Sequence, residues 1–560
     1  MSTDATKTRP RTADDRAEAV KTVAVIDIGT TSIRMAIAEI AAALDVRSDR
    51  LQPVKGPAEA GHYELAAAHP SGAAAGSVRT LDKLSQAVHL GRDTFTRGAV
   101  DKTTIEECVR ILKSYRQILA EYRVTQPDQI RVVATSAVRE ATNRLAFIDR
   151  IFSATGFQVE PIDEAEANRI TYLSIQPLLA EEPELTRSPA VITEVGGGNT
   201  EVLVVQGTDV LFAQTYRLGS IRLREMLDAY RTPRVKLRHI MQSHIQRTVE
   251  EIVQNIPTET SPQLFALGGD VRFAASKLLP DWTPETLGRI PVDEFARFTD
   301  RMLAMTEDEL VQTYHLTYPD AETLGPSLLA YLDLAIAMKL DHILISNVNL
   351  RDGLLHEFAL QGQWTEEFNE QIVRSARVLA RKFGFDEDHA SCVAELSREI
   401  FQQMQDEHGL SSRHRLILYV AALLHEIGLF IGTPAYHKHS MYLIRYSELF
   451  GLSKNDLLLV SLVARYHRRA SPKSNHEGYN TLDREQRIAV CKLAAMLRVA
   501  DALDHSHSGR VGKIRCRRDK SRLVITVPNV DDLSLEQLAL QQKGPLFEEI
   551  FGLQVLLRTR

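Results

Sequence analysis

Two short segments of this chain repeat one pattern, and that repeat limits the fold more than anything else in it. Val23-Ala-Val-Ile-Asp-Ile28 is a β-branched apolar run that breaks at Gly29-Thr-Thr-Ser32 and resumes as Ile33-Arg-Met-Ala-Ile-Ala38. Ala190-Val-Ile-Thr-Glu-Val195 breaks at Gly196-Gly-Gly198 and resumes as Glu201-Val-Leu-Val-Val205. Each reads as strand, tight turn, strand. Two such modules more than 150 residues apart hint at an internal duplication. A third strand-end glycine turn, Gly268-Gly-Asp270, follows Leu264-Phe-Ala-Leu267.

The rest of the chain sets these modules in a multidomain frame. At 560 residues, and roughly 100 to 200 residues per domain, three to five domains are expected. Residues 1–20 are polar with mixed charge and read as a disordered leader without a signal peptide's apolar middle. Residues from about 41 to 78 are rich in Ala, Gly and Pro and read as a surface insertion. Helical spacing over Thr104 to Tyr122 leads into a strand at Ile130 to Ala134, then a helix carrying Phe147, Ile148 and Ile151. Strand signals stop after Ile343-Leu-Ile-Ser346. From about Trp364 to Leu503 the period is helical, including Leu416 to Leu429 and Ile488 to Leu503. Strands return at Lys513 to Cys516 and Leu523 to Val527. The expected order is α/β over 21–188, α/β over 189–360, all-α over 364–508, and a small α+β domain over 509–560.

Composition closes off several classes. Hydrophobic residues are 44% and charged residues 25%, an ordinary globular mix that excludes a disordered chain. The 67 Lys+Arg against 73 Asp+Glu leave a net charge of -6, which argues against a general nucleic-acid binder while leaving room for a locally positive groove. Four cysteines with no CxxC pair indicate neither a zinc ribbon nor a disulfide framework, so a reducing cytoplasm is the expected setting. No apolar run reaches the roughly 18 to 20 residues of a membrane helix.

A turn of glycine and hydroxyl residues between two strands suits phosphate, because backbone N–H groups can approach the oxygens and Thr or Ser adds donors. Two such turns could clamp one phosphate chain. Asp27 and Glu194, each beside a turn, could hold a hard divalent cation, and Glu201 could join them, since Mg²⁺ favours one or two carboxylates plus phosphate oxygens. A lone turn of this kind is more often an ordinary hairpin; the pairing, with flanking acids, favours the functional reading.

The ordered motifs Val25-Ile-Asp-Ile-Gly-Thr-Thr-Ser-Ile-Arg34, Val133-Ala-Thr-Ser-Ala-Val-Arg-Glu-Ala141, Val195-Gly-Gly-Gly-Asn-Thr-Glu201, Leu350-Arg-Asp-Gly-Leu-Leu355 and Ala464-Arg-Tyr-His-Arg-Arg469 resemble the exopolyphosphatase and guanosine pentaphosphate phosphohydrolase (Ppx/GppA) phosphatases from about Thr22 onward. The resemblance implies two actin-like ATPase (ribonuclease H-like) α/β domains, then an all-α HD-like domain and the small α+β domain. It implies metal-dependent attack of water on a terminal phosphoanhydride, with inorganic polyphosphate or guanosine pentaphosphate as substrate and Mg²⁺ or another divalent metal as cofactor. No membrane or specific nucleic acid is expected as partner; a homodimer is the self-association left open. Asp27, Gly29, Thr30, Ser32, Arg139, Gly197, Gly198, Asn199, Thr200 and Glu201 fall on the family's phosphate and metal motifs. The Arg139 guanidinium can in addition hold two phosphate oxygens at once.

Three departures stand out. The family's Ser-Asn-Ser turn is Thr30-Thr-Ser32 here, and the Asp before the triple-glycine turn is Glu194. In Ile162-Asp-Glu-Ala-Glu-Ala-Asn-Arg169, Ala167 aligns with the family's water-activating Glu, leaving Glu166, or Glu164, to replace it. A catalytically weakened polyphosphate or alarmone sensor is therefore the alternative of a different class. The helical region carries His389, His425-Glu426 and Asp501 in the order of HD-type metal phosphohydrolases, which it resembles, again with Glu for Asp; a structural role is favoured over a second active centre. Arg465, His467, Arg468 and Arg469 offer a basic track for the distal part of a polyphosphate chain, or else a solvated helix face.

Overall fold

The computed structural model describes residues 20–41, 78–181, 188–207, 209–229, 234–256, 261–360, 366–530 and 532–559. The leader expected before Val20 and the insertion expected between about 41 and 78 lie outside the described residues. The chain divides into two compact units, Met1–Ile162 with Ile170–Val202 and Tyr216–Trp364, and Asp163–Arg169 with Leu203–Thr215 and Thr365–Arg560.

The α/β part is built on two sheets. The first contains β1 (Val20–Ile28), β2 (Ser32–Ala41), β3 (Val78–Ala87), β4 (Ile130–Ala134) and β5 (Val159–Pro161) in the order β3-β2-β1-β4-β5. The second contains β6 (Ala190–Val195), β7 (Thr200–Gln206), β8 (Asp209–Tyr216), β9 (Gln263–Leu267), β10 (Gly288–Pro291) and β11 (His342–Ile345) in the order β10-β11-β9-β6-β7-β8. Read from the other edge, the second sheet runs 8-7-6-9-11, which repeats 3-2-1-4-5 with β10 added. The duplication hinted at by the two turns is thus a duplication of topology.

Val23 to Ile28 are all buried, as a continuous rather than alternating apolar run demands of a central strand covered on both faces. β1 pairs antiparallel with β2 and parallel with β4. Strand β3 carries Arg79 and Lys83 on a largely exposed edge. Its charges suit an edge strand and hide it from an apolar-pattern search. The helix Lys102–Glu121 buries Cys108, Ile111, Leu112 and Tyr115 at helical spacing together with Thr104, Val109 and Leu119, while Ile105 and Ile118, at the edges of that face, are half-buried.

In the second unit the helices Glu366–Lys382, Glu387–Gln403, Ser412–Leu424, Tyr436–Arg445, Lys454–Arg465 and Arg484–Leu503 account for the helical period. The helix expected over Leu416 to Leu429 stops at Leu424, and a 3-10 turn follows at Ile427–Phe430. Ser440 explains the break: its hydroxyl donates to the His425 carbonyl at 2.7 Å and accepts from Gly428 N–H at 2.9 Å, satisfying groups the helix abandons. Beyond Leu503 a three-stranded sheet, β12 (Arg515–Asp519), β13 (Arg522–Val527) and β14 (Gln554–Thr559), accompanies the helices Ser534–Lys543 and Pro545–Phe551.

Candidate functional site

The two glycine-bearing turns are equivalent in hydrogen bonding as well as in sequence. Gly29 N–H donates to the Ser32 carbonyl at 2.9 Å, and Gly196 N–H to the Asn199 carbonyl at 2.9 Å, each closing a two-residue loop. The carbonyl of Thr30 accepts from Gly91 N–H at 2.9 Å and that of Gly197 from Ile221 N–H at 3.0 Å, so each loop is gripped by the start of a helix.

The glycines are required for space more than for backbone freedom. A Cβ on Gly197 would lie 2.8 Å from the Thr30 methyl, one on Gly198 would lie 2.4 Å from the Phe95 ring and 2.6 Å from Ser136 Oγ, and one on Gly219 would meet the Gly197 carbonyl at 2.3 Å. Loop therefore packs on loop with no side chain of the second between them. Thr200 is buried and its hydroxyl donates to the Leu218 carbonyl, so this expected phosphate donor uses its side chain to fix the turn. Thr30 turns its methyl toward Gly91 and Gly197. Ser32 Oγ is buried without a hydrogen-bond partner.

Beside the turns lies a cluster of buried acids and arginines. The register of β1 on β2 sets Asp27 opposite Arg34, and Arg351 Nη1 stands 3.5 Å from Asp27 Oδ2. Burial pushes the Asp27 carboxyl above the ordinary range while Arg351 and Arg34 pull it back. Glu194 is likewise raised by burial and opposed by Arg272 and Arg34. Tyr331 locks this corner, its hydroxyl accepting from Val195 N–H at 2.7 Å and donating to the Leu267 carbonyl. Asp270, after the third glycine turn, is pushed up to about 6 by desolvation. Glu201 accepts from Thr171 Oγ1 at 3.4 Å. Among the described residues, Asp27, Glu194 and Glu201 do not converge into a three-ligand cluster. Asp27 Oδ1, buried and without a hydrogen-bond partner, is nonetheless the kind of oxygen a hard cation takes, and Asp27 and Glu194 fit a Mg²⁺ ion completed by phosphate.

Arg139 links the two halves of the expected phosphate site. It lies in the short helix Ser136–Glu140 after β4, and its Nη1 donates to the Ile162 carbonyl at 2.8 Å. With the Asn199 amide oriented to suit its neighbours, the amide nitrogen donates to the Gly198 carbonyl at 2.7 Å and the oxygen accepts from Arg139 Nη2 at 3.1 Å. Arg222 supports the same loop, donating to the Gly198 carbonyl at 2.6 Å, pairing with Glu140, and lying 4.0 Å above the Phe95 ring. Sequence reasoning missed Arg34, Arg222 and Arg272 as partners and assigned no role to Arg351 within its motif. For Arg34 a signal existed: strand pairing across a two-residue loop places it opposite Asp27.

Glu166 lies in the first turn of the helix Glu164–Glu181, whose residues up to Arg169 belong to the second unit. Its two oxygens take Arg169 Nε and Nη2 at 2.9 and 2.6 Å. The fork fixes the plane of the carboxylate. Ala167 is buried at 3% exposure, and Glu164 pairs with Lys454 at 2.7 Å.

Further along the second unit, His389, His425 and Asp501 are brought together, with one ligand atom from each within 4.8 Å of the others, and His389, Glu426 and His507 form a second such set. Burial works against ionisation at Asp501, but the Lys543 ammonium and the neighbouring imidazoles hold its carboxyl below the usual range.

The basic track needs correction. His467 is fully buried, its Nδ1 donating to the Ala464 carbonyl and its Nε2 bonded to Tyr436 OH at 3.0 Å, so it cannot touch a polymer on the surface. Arg498 is also buried and ties the Tyr466 and Ala470 carbonyls together at 2.7 Å each. Arg465 is half-buried against Tyr466 and donates to the Glu477 carbonyl at 3.4 Å. Arg468 and Arg469 are exposed.

The Ppx/GppA phosphatase family model matches residues 71–361, and the model for Ppx/GppA phosphatase domain III matches residues 373–543. An exopolyphosphatase from Cytophaga hutchinsonii is similar in structure at 20% identity and a TM-score of 0.50, over 61% of this chain and 98% of its own. The Aquifex aeolicus member of the Ppx/GppA family aligns at 19% identity and a TM-score of 0.46, over 62% of this chain and 100% of its own. Among the described residues no helix is long and apolar enough to cross a membrane.

Proposed function

Because this chain belongs to the Ppx/GppA phosphatase family, we propose that it is a phosphohydrolase that releases terminal phosphate from inorganic polyphosphate by attack of water. The observation that carries this reading is the facing pair of equivalent loops, with Arg139 joined to Asn199 across them. Backbone N–H groups and the Arg139 guanidinium are suited to hold the oxygens of a transferring phosphoryl group and to stabilise its charge as the bond breaks. Asp27 and Glu194 would hold Mg²⁺, and the ion when bound would neutralise phosphate charge. Ala167 aligns with the family's water-activating Glu, and Glu166, its carboxylate oriented by Arg169, would take over that role. The helical region, of HD-like type, and the small α+β domain after it would serve to hold the polymer, in a cytoplasmic protein. Guanosine pentaphosphate is the alternative substrate on this reading.

A second reading, a polyphosphate or alarmone sensor with little turnover, is favoured by Ala167 at the family's base position and by the close pairing of Glu166 with Arg169. Phosphate release from long polyphosphate and from guanosine pentaphosphate, run beside a binding measurement on the same preparation, separates the readings. Turnover that falls at least about tenfold in Glu166→Ala supports the hydrolase with Glu166 as base, general-base help being worth about 10²- to 10⁴-fold. Tight binding with no turnover under any divalent metal supports the sensor.

A further inference from the structure

The three-stranded sheet of β12, β13 and β14 turns one face to solvent, and that face is basic. Residues 510–522 hold seven Lys and Arg against one acid, Asp519, in a chain whose net charge is -6. Part of this charge is structural, since Arg510 pairs with Glu536 at 2.7 Å and Arg518 with Glu407 at 2.6 Å.

Strand register sorts the remainder. β12 runs antiparallel to β13 and sets Arg515 opposite Thr526, Arg517 opposite Val524 and Asp519 opposite Arg522. β14 runs parallel to β13 and sets Arg558 beside Thr526, Leu556 beside Val524 and Gln554 beside Arg522. Paired residues share a face. Arg515, Arg517, Arg522 and Arg558 therefore stand on one side, and the buried Leu523, Ile525, Val527 and Leu557 on the other. All four arginines are exposed, and among the described residues none of them takes part in an ion pair. With strands about 4.8 Å apart and about 6.7 Å between alternate residues, the four charges span about 10 Å across the strands and about 13 Å along them. Val524 and the half-buried Leu556 lie between them.

Charge on an edge strand also guards against unwanted strand pairing, which accounts for a basic β12 and β14. It does not account for Arg522 on the central strand, nor for arginine at all four positions where lysine would serve. A guanidinium adds a fork that takes two phosphate oxygens and a plane that stacks on a base.

We propose that this face binds single-stranded nucleic acid through phosphates and base planes, without selecting a sequence. Polyphosphate is charged along its whole length and has no surface to lay on Val524 and Leu556, whereas a nucleotide strand carries a charged edge beside apolar base faces. A duplex keeps those faces inside its stack. The sheet lies in the second unit, and the proposal stands whether the paired loops hydrolyse or sense.

The test follows the fluorescence anisotropy of a labelled oligouridylate of about 12 nucleotides, within the span such surfaces cover, as the full chain is added. A duplex of equal length and long polyphosphate are run beside it. Wild type should bind the single strand with a dissociation constant of about 1 to 100 µM at physiological salt. Arg517→Ala combined with Arg522→Ala should weaken binding at least about tenfold and make the log–log salt slope shallower by about 1.4, each lost phosphate contact on a single strand being worth about 0.7. Arg515→Ala combined with Arg558→Ala is the second pair, should a thermal melt show that the first does not fold. No binding by wild type at about 50 mM salt, or equal binding by wild type and the folded variants, overturns the site. A duplex bound as tightly as the single strand overturns the base contacts. Loss of long polyphosphate with oligouridylate retained overturns the nucleic-acid assignment and gives the face to the phosphate polymer.

Discussion

Arg139 Nη2 donates to the side-chain oxygen of Asn199 at 3.1 Å, joining the helix after β4 to the triple-glycine loop. A guanidinium in this place can reach a phosphate while one nitrogen stays anchored. Lysine keeps the charge and loses the fork. Arg139→Lys should therefore lower phosphate release by about 10- to 100-fold with little change in melting temperature. Phosphate release and a thermal melt on the same preparation check this.

Gly91 and Thr30 should behave as one unit. A Cβ on Gly91 would lie 2.0 Å from the Thr30 methyl, its only contact under 3 Å. Helix propensity alone favours alanine at this position, yet Gly91→Ala should destabilise by about 1–3 kcal/mol through overpacking. Thr30→Ser in the same chain removes the methyl and should recover most of that loss. Denaturant unfolding of the two single variants and the double variant measures the coupling.

Asp270 gives a pH signature. Its folded value of about 6 lies above the ordinary carboxylate value because of desolvation, with Ser327 and Thr323 only partly compensating. The folded form thus binds a proton that the unfolded form has released between about pH 4 and 6, so this group's contribution declines as pH rises through that window. Asp270→Asn should raise stability by about 2 kcal/mol at pH 7.5 and leave it nearly unchanged at pH 4. Equal effects at both pH values would exclude this account.

The sheets, the helical region and the glycine turns were legible because each rests on local pattern. Strand β3 was not, since an exposed edge carries no apolar run. The break at His425 was not, because the satisfying hydroxyl, Ser440, is 15 residues away. Placement of charge was harder still. The sequence puts His467 beside Arg468 and Arg469, but only the fold shows that the imidazole turns inward and the guanidinia outward. The acids Asp27 and Glu194 could be named from their strand ends, whereas Arg272 and Arg351 reach them from remote parts of the chain.

Arg468 and Arg469 remain as the exposed basic pair. Replacing both with alanine should weaken long polyphosphate more than a short oligomer and make the salt dependence shallower, because fewer counterions are released per bound chain. Binding measured at several salt concentrations with two polymer lengths tests it. Equal weakening at both lengths would assign the pair to the primary phosphate site.

The absence of side chains on Gly91 and Gly197 beneath the Thr30 methyl has an evolutionary reading. Three positions share one small volume, so a gain at any of them must be matched by a loss at another. In related sequences alanine at position 91 should accompany serine or a smaller residue at position 30, and threonine there should travel with glycine at both 91 and 197. The two halves of the duplication have diverged in sequence, but at this contact neither is free to drift alone.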